Sequence, residues 1–186
     1  TLTMKGRTFK GPRGLSGKPS HPPLTDVPIA AYLIAAVFDV ISTIAGDGRA
    51  WADELWHAGT YLFIAGVIVS VFAALTGLAD ARDSSEAGTQ ARRTINTHAA
   101  IMVTVTVLAL INLAWRLSQF NVADATPVAI AVLSVVIALL VSLGATFGGS
   151  LVFEYGFNVE TAGDHPVWHQ SETDVFPGEE HPAADG

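Results

Sequence analysis

Four long apolar runs, separated by polar segments, dominate the pattern of residues along the chain. They cover residues 27–46, 60–79, 98–115 (extended by a turn at its start) and 127–153. A helix of about 20 mostly apolar residues crosses the roughly 30 Å of hydrocarbon in a bilayer. The runs are apolar around their whole circumference, whereas helices in the core of a soluble protein are usually amphipathic. The pattern therefore predicts an all-α fold, an integral membrane four-helix bundle.

Polar segments on either side of these runs define the expected domain organisation. We expect a basic N-terminal tail over residues 1–22, the transmembrane bundle over 23–156 and an acidic C-terminal tail over 157–186. Pro28 suits the first turn of a helix, where its missing N–H costs nothing. Thr25 or Asp26 is then the expected cap of the first helix.

Lys and Arg are distributed unevenly around the predicted spans. The N-terminal tail and the segment between the second and third runs carry most of them, while the other two loops contribute only Arg49 and Arg116. Because cytoplasmic loops are enriched in Lys and Arg, this asymmetry predicts that both termini are cytoplasmic. Trp51, Trp56 and Trp115 then lie at the outer interface, where amphipathic rings are preferred.

The composition excludes several kinds of chemistry. Only 15% of the residues are charged, against about 25% in an average soluble protein. The chain has no cysteine, which excludes disulfides, thiolate metal sites and cysteine nucleophiles. It also lacks phosphate-loop, nucleophile-elbow, zinc-protease and dinucleotide motifs. We therefore expect that the protein has no catalytic activity of its own. We also expect no nucleic-acid partner, because the short basic tail suits anionic lipid headgroups better.

Asp39 is the one charged residue within the four apolar runs. A carboxylate in the bilayer is costly unless it is paired or protonated, so it usually faces the bundle interior. Arg116, at the end of the third span, is the candidate partner. We favour an interhelical structural pair over a proton-linked or redox-linked site. Asp80 closes the second span and is expected to be solvated or paired with Arg82.

Histidines at the starts of two spans suggest a cofactor site. The predicted topology places His21 and His98 on the same side of the membrane, with His57 alone on the other. Two imidazoles at equal depth on facing helices can supply both axial ligands of a low-spin haem b. A bundle core also offers an apolar slot for the macrocycle. The alternative is that both histidines bind backbone groups, lipid headgroups or Asp80.

The acidic tail contains three further histidines and two prominent aromatic residues. His165, His169 and His181 could together hold a divalent metal. We favour a segment that docks on a partner through Trp168 and Phe176, because a few aromatic residues usually dominate the energy of an interface.

Several short motifs resemble those of a known family. The chain resembles the family of small bacterial four-helix membrane proteins that are often fused to Rieske iron–sulfur domains. The matching features are the HPPLTDVPIA sequence at 21–30, Asp39 late in the first helix, GLAD at 77–80, His98, Arg116, and the GGSLVFEYG sequence that contains Gly148, Gly149 and Tyr155. This resemblance implies four helices and a redox-linked membrane, but supplies no activity. Members often have a second His–Pro pair upstream, where this chain has Lys18 and Pro19.

Three functions are compatible with the sequence, and we favour the first of them. The first is an accessory subunit of a larger energy-converting complex in the bacterial inner membrane, packed through its helices and acidic tail against other membrane subunits. Small residues such as Gly144 and Gly148, in a G-x-x-x-G pattern, favour such packing. The second is an electron carrier with haem b between His21 and His98. The third is a proton-linked transporter using Asp39, which we rank last because no internal repeat is evident.

Overall fold

The structure, a computed structural model, describes residues 20–82 and 85–157, and the backbone of residues 3–4 and 7–8. Its helices are α1 (His21–Ala45), α2 (Ala50–Arg82), α3 (Gln90–Gln119) and α4 (Val128–Phe153). Near the N-terminus, the two-residue strands β1 (Thr3–Met4) and β2 (Arg7–Thr8) pair antiparallel. The predicted four-helix architecture is confirmed.

All four helices are long and apolar enough to cross a membrane. Helices α1, α2 and α3 extend beyond their apolar runs at one end or both, most clearly α2, which has 33 residues and a length of about 50 Å at about 1.5 Å per residue. Polar residues at both ends continue the helix past the hydrocarbon, because the helical hydrogen bonds do not require apolar side chains. A hydropathy pattern therefore locates the membrane-crossing part of a helix better than its ends.

The first helix begins earlier than the sequence predicts. It starts at His21 after Ser20, whose side chain makes no capping hydrogen bond. Pro22 lies in the first turn, where a proline is well tolerated, and its carbonyl accepts a hydrogen bond of 2.7 Å from the Thr25 hydroxyl. The predicted cap at Thr25 or Asp26 is wrong, because these residues already lie inside the helix.

The helices form a square in which each packs against two neighbours. α1 contacts α2 and α4, α3 contacts the same two helices, and α1 and α3 face each other across the diagonal. Fully buried side chains from all four helices fill the centre: Tyr32, Phe63, Val105, Ile137 and Val141. A Cβ atom at Gly66 would lie 2.7 Å from the Tyr32 ring, so glycine is what lets α2 approach α1 here. Side chains of α1 and α3 therefore meet only by reaching across the bundle axis.

Candidate functional site

The structure brings His21 and His98 together at one end of the bundle. Their ring centroids are 6.4 Å apart and the ring planes are nearly perpendicular, at 81°. Imidazole nitrogens bind metal ions at about 2 Å, so two rings on opposite sides of one ion have centroids about 6–7 Å apart. The separation within this histidine pair, His21 and His98, therefore suits two axial ligands of a single metal ion.

Both rings bind backbone carbonyls of the neighbouring helices, as the alternative to a cofactor site predicts. His21 Nδ1 donates to the Ala73 carbonyl of α2 at 2.9 Å, and His98 Nδ1 donates to the Gly144 carbonyl of α4 at 2.9 Å. Within the described residues, neither Nε2 atom has a hydrogen-bond partner. Metal-binding histidines characteristically donate their other ring N–H to a carbonyl or carboxylate, which fixes the tautomer. With the proton of each ring on Nδ1, Nε2 is the available electron-pair donor.

A glycine lies one helical turn beyond each accepting carbonyl. A Cβ atom at Gly77 would come within 2.6 Å of His21 Cε1, and one at Gly148 within 3.1 Å of His98 Cε1. Both distances are shorter than ordinary van der Waals contacts, so a side chain at either position would displace the ring. The two helix pairs therefore repeat one arrangement, in which a histidine of one helix lies against a carbonyl and a glycine of the next.

A second cluster of polar side chains is buried at the other end of the bundle, and the structure brings Asp39 and Arg116 together there. We call this group the polar cluster; its members are Asp39, Thr60, Asn112, Arg116, Thr126 and Ser134, all buried. The Arg116 guanidinium donates to the Asp39 carboxylate through Nη2. Thr126 donates to the other oxygen of Asp39 at 3.2 Å. Both charged groups are fully buried, and a buried charge is tolerated only with such partners.

Arg116 uses each nitrogen of its side chain within the polar cluster. Besides the bond to Asp39, Nη2 donates to Ser134 at 3.0 Å, Nη1 donates to Thr60 at 3.3 Å, and Nε donates to Asn112 at 2.7 Å. The guanidinium carbon also lies 4.3 Å from the centroid of the Phe63 ring, an arrangement favourable for a cation. These contacts connect α3 with all three other helices.

Two equal spacings link the two ends of the bundle. Asp39 lies 18 positions after His21, and Arg116 lies 18 positions after His98. Eighteen residues make about five turns of an α-helix, so each histidine shares one helix face with the charged residue that follows it. The equal spacing was visible in the sequence, but hydrophobic periodicity does not reveal it.

The other candidate residues in the described part of the chain lie apart from these two clusters or at their edges. Asp80 is buried near the end of α2. The Tyr155 hydroxyl is 3.4 Å from the Thr94 hydroxyl. A Cβ atom at Gly149 would make only an ordinary contact, with Phe153 at 3.9 Å. These positions have structural contacts, but none of those contacts involves the histidine pair.

His57 differs from the histidine pair because both of its ring nitrogens are occupied. Nδ1 lies 3.0 Å from an Asp53 carboxylate oxygen, and Nε2 lies 3.2 Å from the Phe120 carbonyl. The Phe120 ring also packs edge-on against the imidazole, with centroids 4.5 Å apart. His57 therefore offers no nitrogen to a metal without losing one of these contacts.

The residues predicted for the acidic tail, which are His165, Trp168, His169, Phe176 and His181, lie outside the described residues. Their interpretations as a docking segment or a metal site stay predictions. Among the described residues, no group of three or more His, Asp or Glu side chains is arranged to hold a metal ion. Any metal at the histidine pair would therefore need further ligands that the described residues do not supply.

Comparison with known proteins gives one match. A family model described as a predicted membrane protein (DUF2231) matches residues 17–161. This range contains the four helices, the histidine pair and the polar cluster. No curated protein and no solved structure is significantly similar to the chain.

Proposed function

The chain belongs to the DUF2231 family of predicted membrane proteins, and we propose that it is a membrane electron carrier with a b-type haem between His21 and His98. The observation that carries the proposal is the paired orientation of two imidazoles across the bundle axis. Each has its Nδ1 atom fixed on a carbonyl and its Nε2 atom available. Haem chemistry supplies the reversible one-electron step, while the protein supplies axial ligands and an apolar environment.

The incomplete ligand set of the protein favours haem over a simple metal ion. Zinc and other divalent ions are usually held by three or four protein ligands, whereas the described residues contribute only two imidazoles at this end. A porphyrin brings four nitrogen ligands of its own, so two axial imidazoles complete its coordination. The chemistry of the donor set therefore fits haem b.

Haem binding requires the ends of the helices to move apart. The centroid separation of the two rings leaves room for one iron, but each ring also packs against a glycine of α2 or α4, so the wider macrocycle does not fit between the helices in this arrangement. Both histidines are only partly buried. His21 is the first residue of α1 and His98 lies in the first third of α3, where displacement costs fewer packing contacts than at the centre. We therefore include in the proposal an outward movement of the helix ends that surround the two rings.

The proposed location is the cytoplasmic membrane of a bacterium, with both termini in the cytoplasm. The concentration of Lys and Arg in the N-terminal tail and in the α2–α3 segment supports this orientation. It places the histidine pair near the cytoplasmic surface and the polar cluster toward the outer surface. The resemblance to proteins fused to Rieske domains supports a redox setting.

An accessory role in a larger complex stays a prediction beside this proposal. It depends mainly on the acidic tail and on Trp168 and Phe176, which lie outside the described residues. No contact among the described residues favours it over electron transfer. The two roles are also compatible, since an electron carrier can be a subunit of a complex. The transporter interpretation has less support, because Asp39 is paired with Arg116 and not open to an ion.

Titration of haem into the purified full-length protein in detergent tests the proposal. We expect binding to saturate at equimolar haem and to give the spectrum of a six-coordinate, low-spin iron, because both Nε2 atoms are available. His57→Ala is the matched control and should bind haem as the unmodified protein does, since both nitrogens of His57 are occupied elsewhere. Only weak, non-saturating binding, or a high-spin spectrum at saturation, would overturn the proposal.

A further inference from the structure

The two diagonal helices α1 and α3 have no direct helix–helix packing. Their side chains nevertheless meet at both ends of the bundle. At one end the rings of His21 and His98 are in contact, and at the other Arg116 donates to Asp39. The relative rotation and axial register of α1 and α3 therefore depend on side chains that reach across the axis, and on the shared neighbours α2 and α4.

The equal spacing along the two helices couples these contacts geometrically. His21 and Asp39 lie on one face of α1, about five turns apart, and His98 and Arg116 lie on one face of α3 at the same separation. A helix that is rotated to bring its charged residue to the axis therefore also brings its histidine to the axis. Because the two separations are equal, pairing of the charged residues also sets the two histidines at equal depth.

We infer that Asp39 and Arg116 are positioning residues for the histidine pair: their ion pair sets the rotation and register of α1 and α3 that make His21 and His98 face each other. The biological purpose of this positioning rests on the proposed function, but the helix spacing and the contacts that support it do not depend on haem. It assigns the buried charges a role at a site about 27 Å away along the helix, at about 1.5 Å per residue.

The contacts of the guanidinium explain why a specific geometry, and not just a positive charge, is needed. Arg116 donates to Asp39 of α1, Thr60 of α2 and Ser134 of α4, and its orientation within α3 is fixed by the bond to Asn112. A planar guanidinium presents its donors in a rigid fork, whereas a lysine ammonium is a point charge on a flexible stem. Lysine at this position would keep an ion pair with Asp39 but could not hold the other three helices in one arrangement.

Cysteine crosslinking tests the inference without haem. The natural chain has no cysteine, so a His21→Cys/His98→Cys protein carries one reactive pair. The full-length protein in lipid vesicles is treated with a short reagent that joins two thiols, and the yield of intramolecular crosslink is measured. We expect efficient crosslinking in this parent protein and a severalfold lower rate when Arg116→Lys is added. Arg49→Lys is the matched control, because Arg49 is exposed and faces the Trp51 ring, and it should leave the rate unchanged.

The outcomes separate the inference from the proposed function. Equal crosslinking rates in the Arg116→Lys and Arg49→Lys proteins would overturn the positioning role, and so would a parent protein that does not crosslink. A severalfold loss with Arg116→Lys, in a chain whose natural form binds no haem, would support the positioning role and refute the electron carrier. If Arg116→Lys does not fold, the double variant Asp39→Asn/Arg116→Met removes the ion pair without leaving one charge buried alone, and an unchanged rate in that protein would overturn the inference.

In the haem-loaded protein, Arg116→Lys provides a second readout. We expect a shifted reduction potential with both histidines still present, because altered axial-ligand orientation changes the electronic environment of the iron. A stability role alone would change the unfolding transition and leave the potential where it is. An unchanged potential together with an unchanged crosslinking rate would refute the positioning role.

Discussion

An Arg116→Met protein is expected to lose about 3–5 kcal/mol of stability, because it leaves the carboxylate of Asp39 buried without its charged partner. Asp39 is fully buried, and the remaining bond from Thr126, at 3.2 Å, cannot replace a positive charge. Methionine is close to arginine in length and adds no clash of its own. The free energy of unfolding is measured by denaturant titration of the full-length protein in detergent micelles.

The double variant Asp39→Asn/Arg116→Met separates the ion pair from the shape of the side chains. Replacing a buried ion pair by neutral groups is often close to neutral for stability, whereas breaking it from one side is costly. We therefore expect the double variant to be clearly more stable than Arg116→Met alone. If the single and the double variant are equally destabilised, Arg116 stabilises the fold through its neutral hydrogen bonds and packing. The unpaired carboxylate of Asp39 is then not the cause of the loss. Arg49→Met serves as the control for loss of an exposed arginine.

A His98→Ala protein is expected to bind haem at least about 100-fold more weakly than the natural protein, since even partners of metal ligands contribute about 10–100-fold in affinity. The remaining complex should be five-coordinate and high-spin, because His21 is then the only protein ligand. Added imidazole should restore the low-spin spectrum by occupying the space that the His98 ring leaves. The measurement is an optical haem titration with and without imidazole.

His21→Ala should behave in the same way, because His21 and His98 have equivalent hydrogen bonds to carbonyls and equivalent glycine contacts. His57→Ala again serves as the control. Undiminished low-spin binding in either the His21→Ala or the His98→Ala protein would show that haem, if bound, lies elsewhere. A loss in only one of them would contradict the symmetric assignment of the two ligands.

The membrane-spanning architecture could be predicted from the sequence because the bilayer imposes a simple requirement. Backbone polar groups in the hydrocarbon must be satisfied within the segment, so a run of apolar residues of sufficient length has to be helical. The unusual position of Asp39 also indicated an interior-facing residue, since a carboxylate facing lipid would be too costly. Both arguments depend on local composition and length, which the sequence contains directly.

The ends of the helices and the contacts of individual side chains could not be predicted in the same way. Helix α1 begins at His21 and not at the Thr25–Asp26 cap, because a proline is tolerated in a first turn and the alternatives differ by little energy. The positions of the two histidine rings depend on hydrogen bonds to the carbonyls of Ala73 and Gly144. Every residue has a backbone carbonyl, so the sequence does not show which carbonyl will accept a hydrogen bond from a histidine. Hydrophobic periodicity also does not show which helices lie on a diagonal of the bundle.

Only some partners of the buried ion pair could be predicted from the sequence. Asn112 lies one turn from Arg116 and was visible as a neighbour, but Thr60 and Ser134 come from other helices. Threonine and serine occur throughout membrane helices, where they commonly bond to the carbonyl of the preceding turn. Their convergence on one guanidinium is therefore a property of tertiary packing. The 18-residue spacing was the one available signal for a link between the two clusters.

The central claim is that the histidine pair holds a haem in the natural protein, and the most direct test is an absorption spectrum of the protein gently extracted from its native membrane. The spectrum is recorded in the oxidised state and again after reduction with dithionite. A haem held by His21 and His98 should give the sharpened bands of a reduced, low-spin b-type haem, in an amount equimolar with the chain. A colourless protein from haem-replete cells would contradict it.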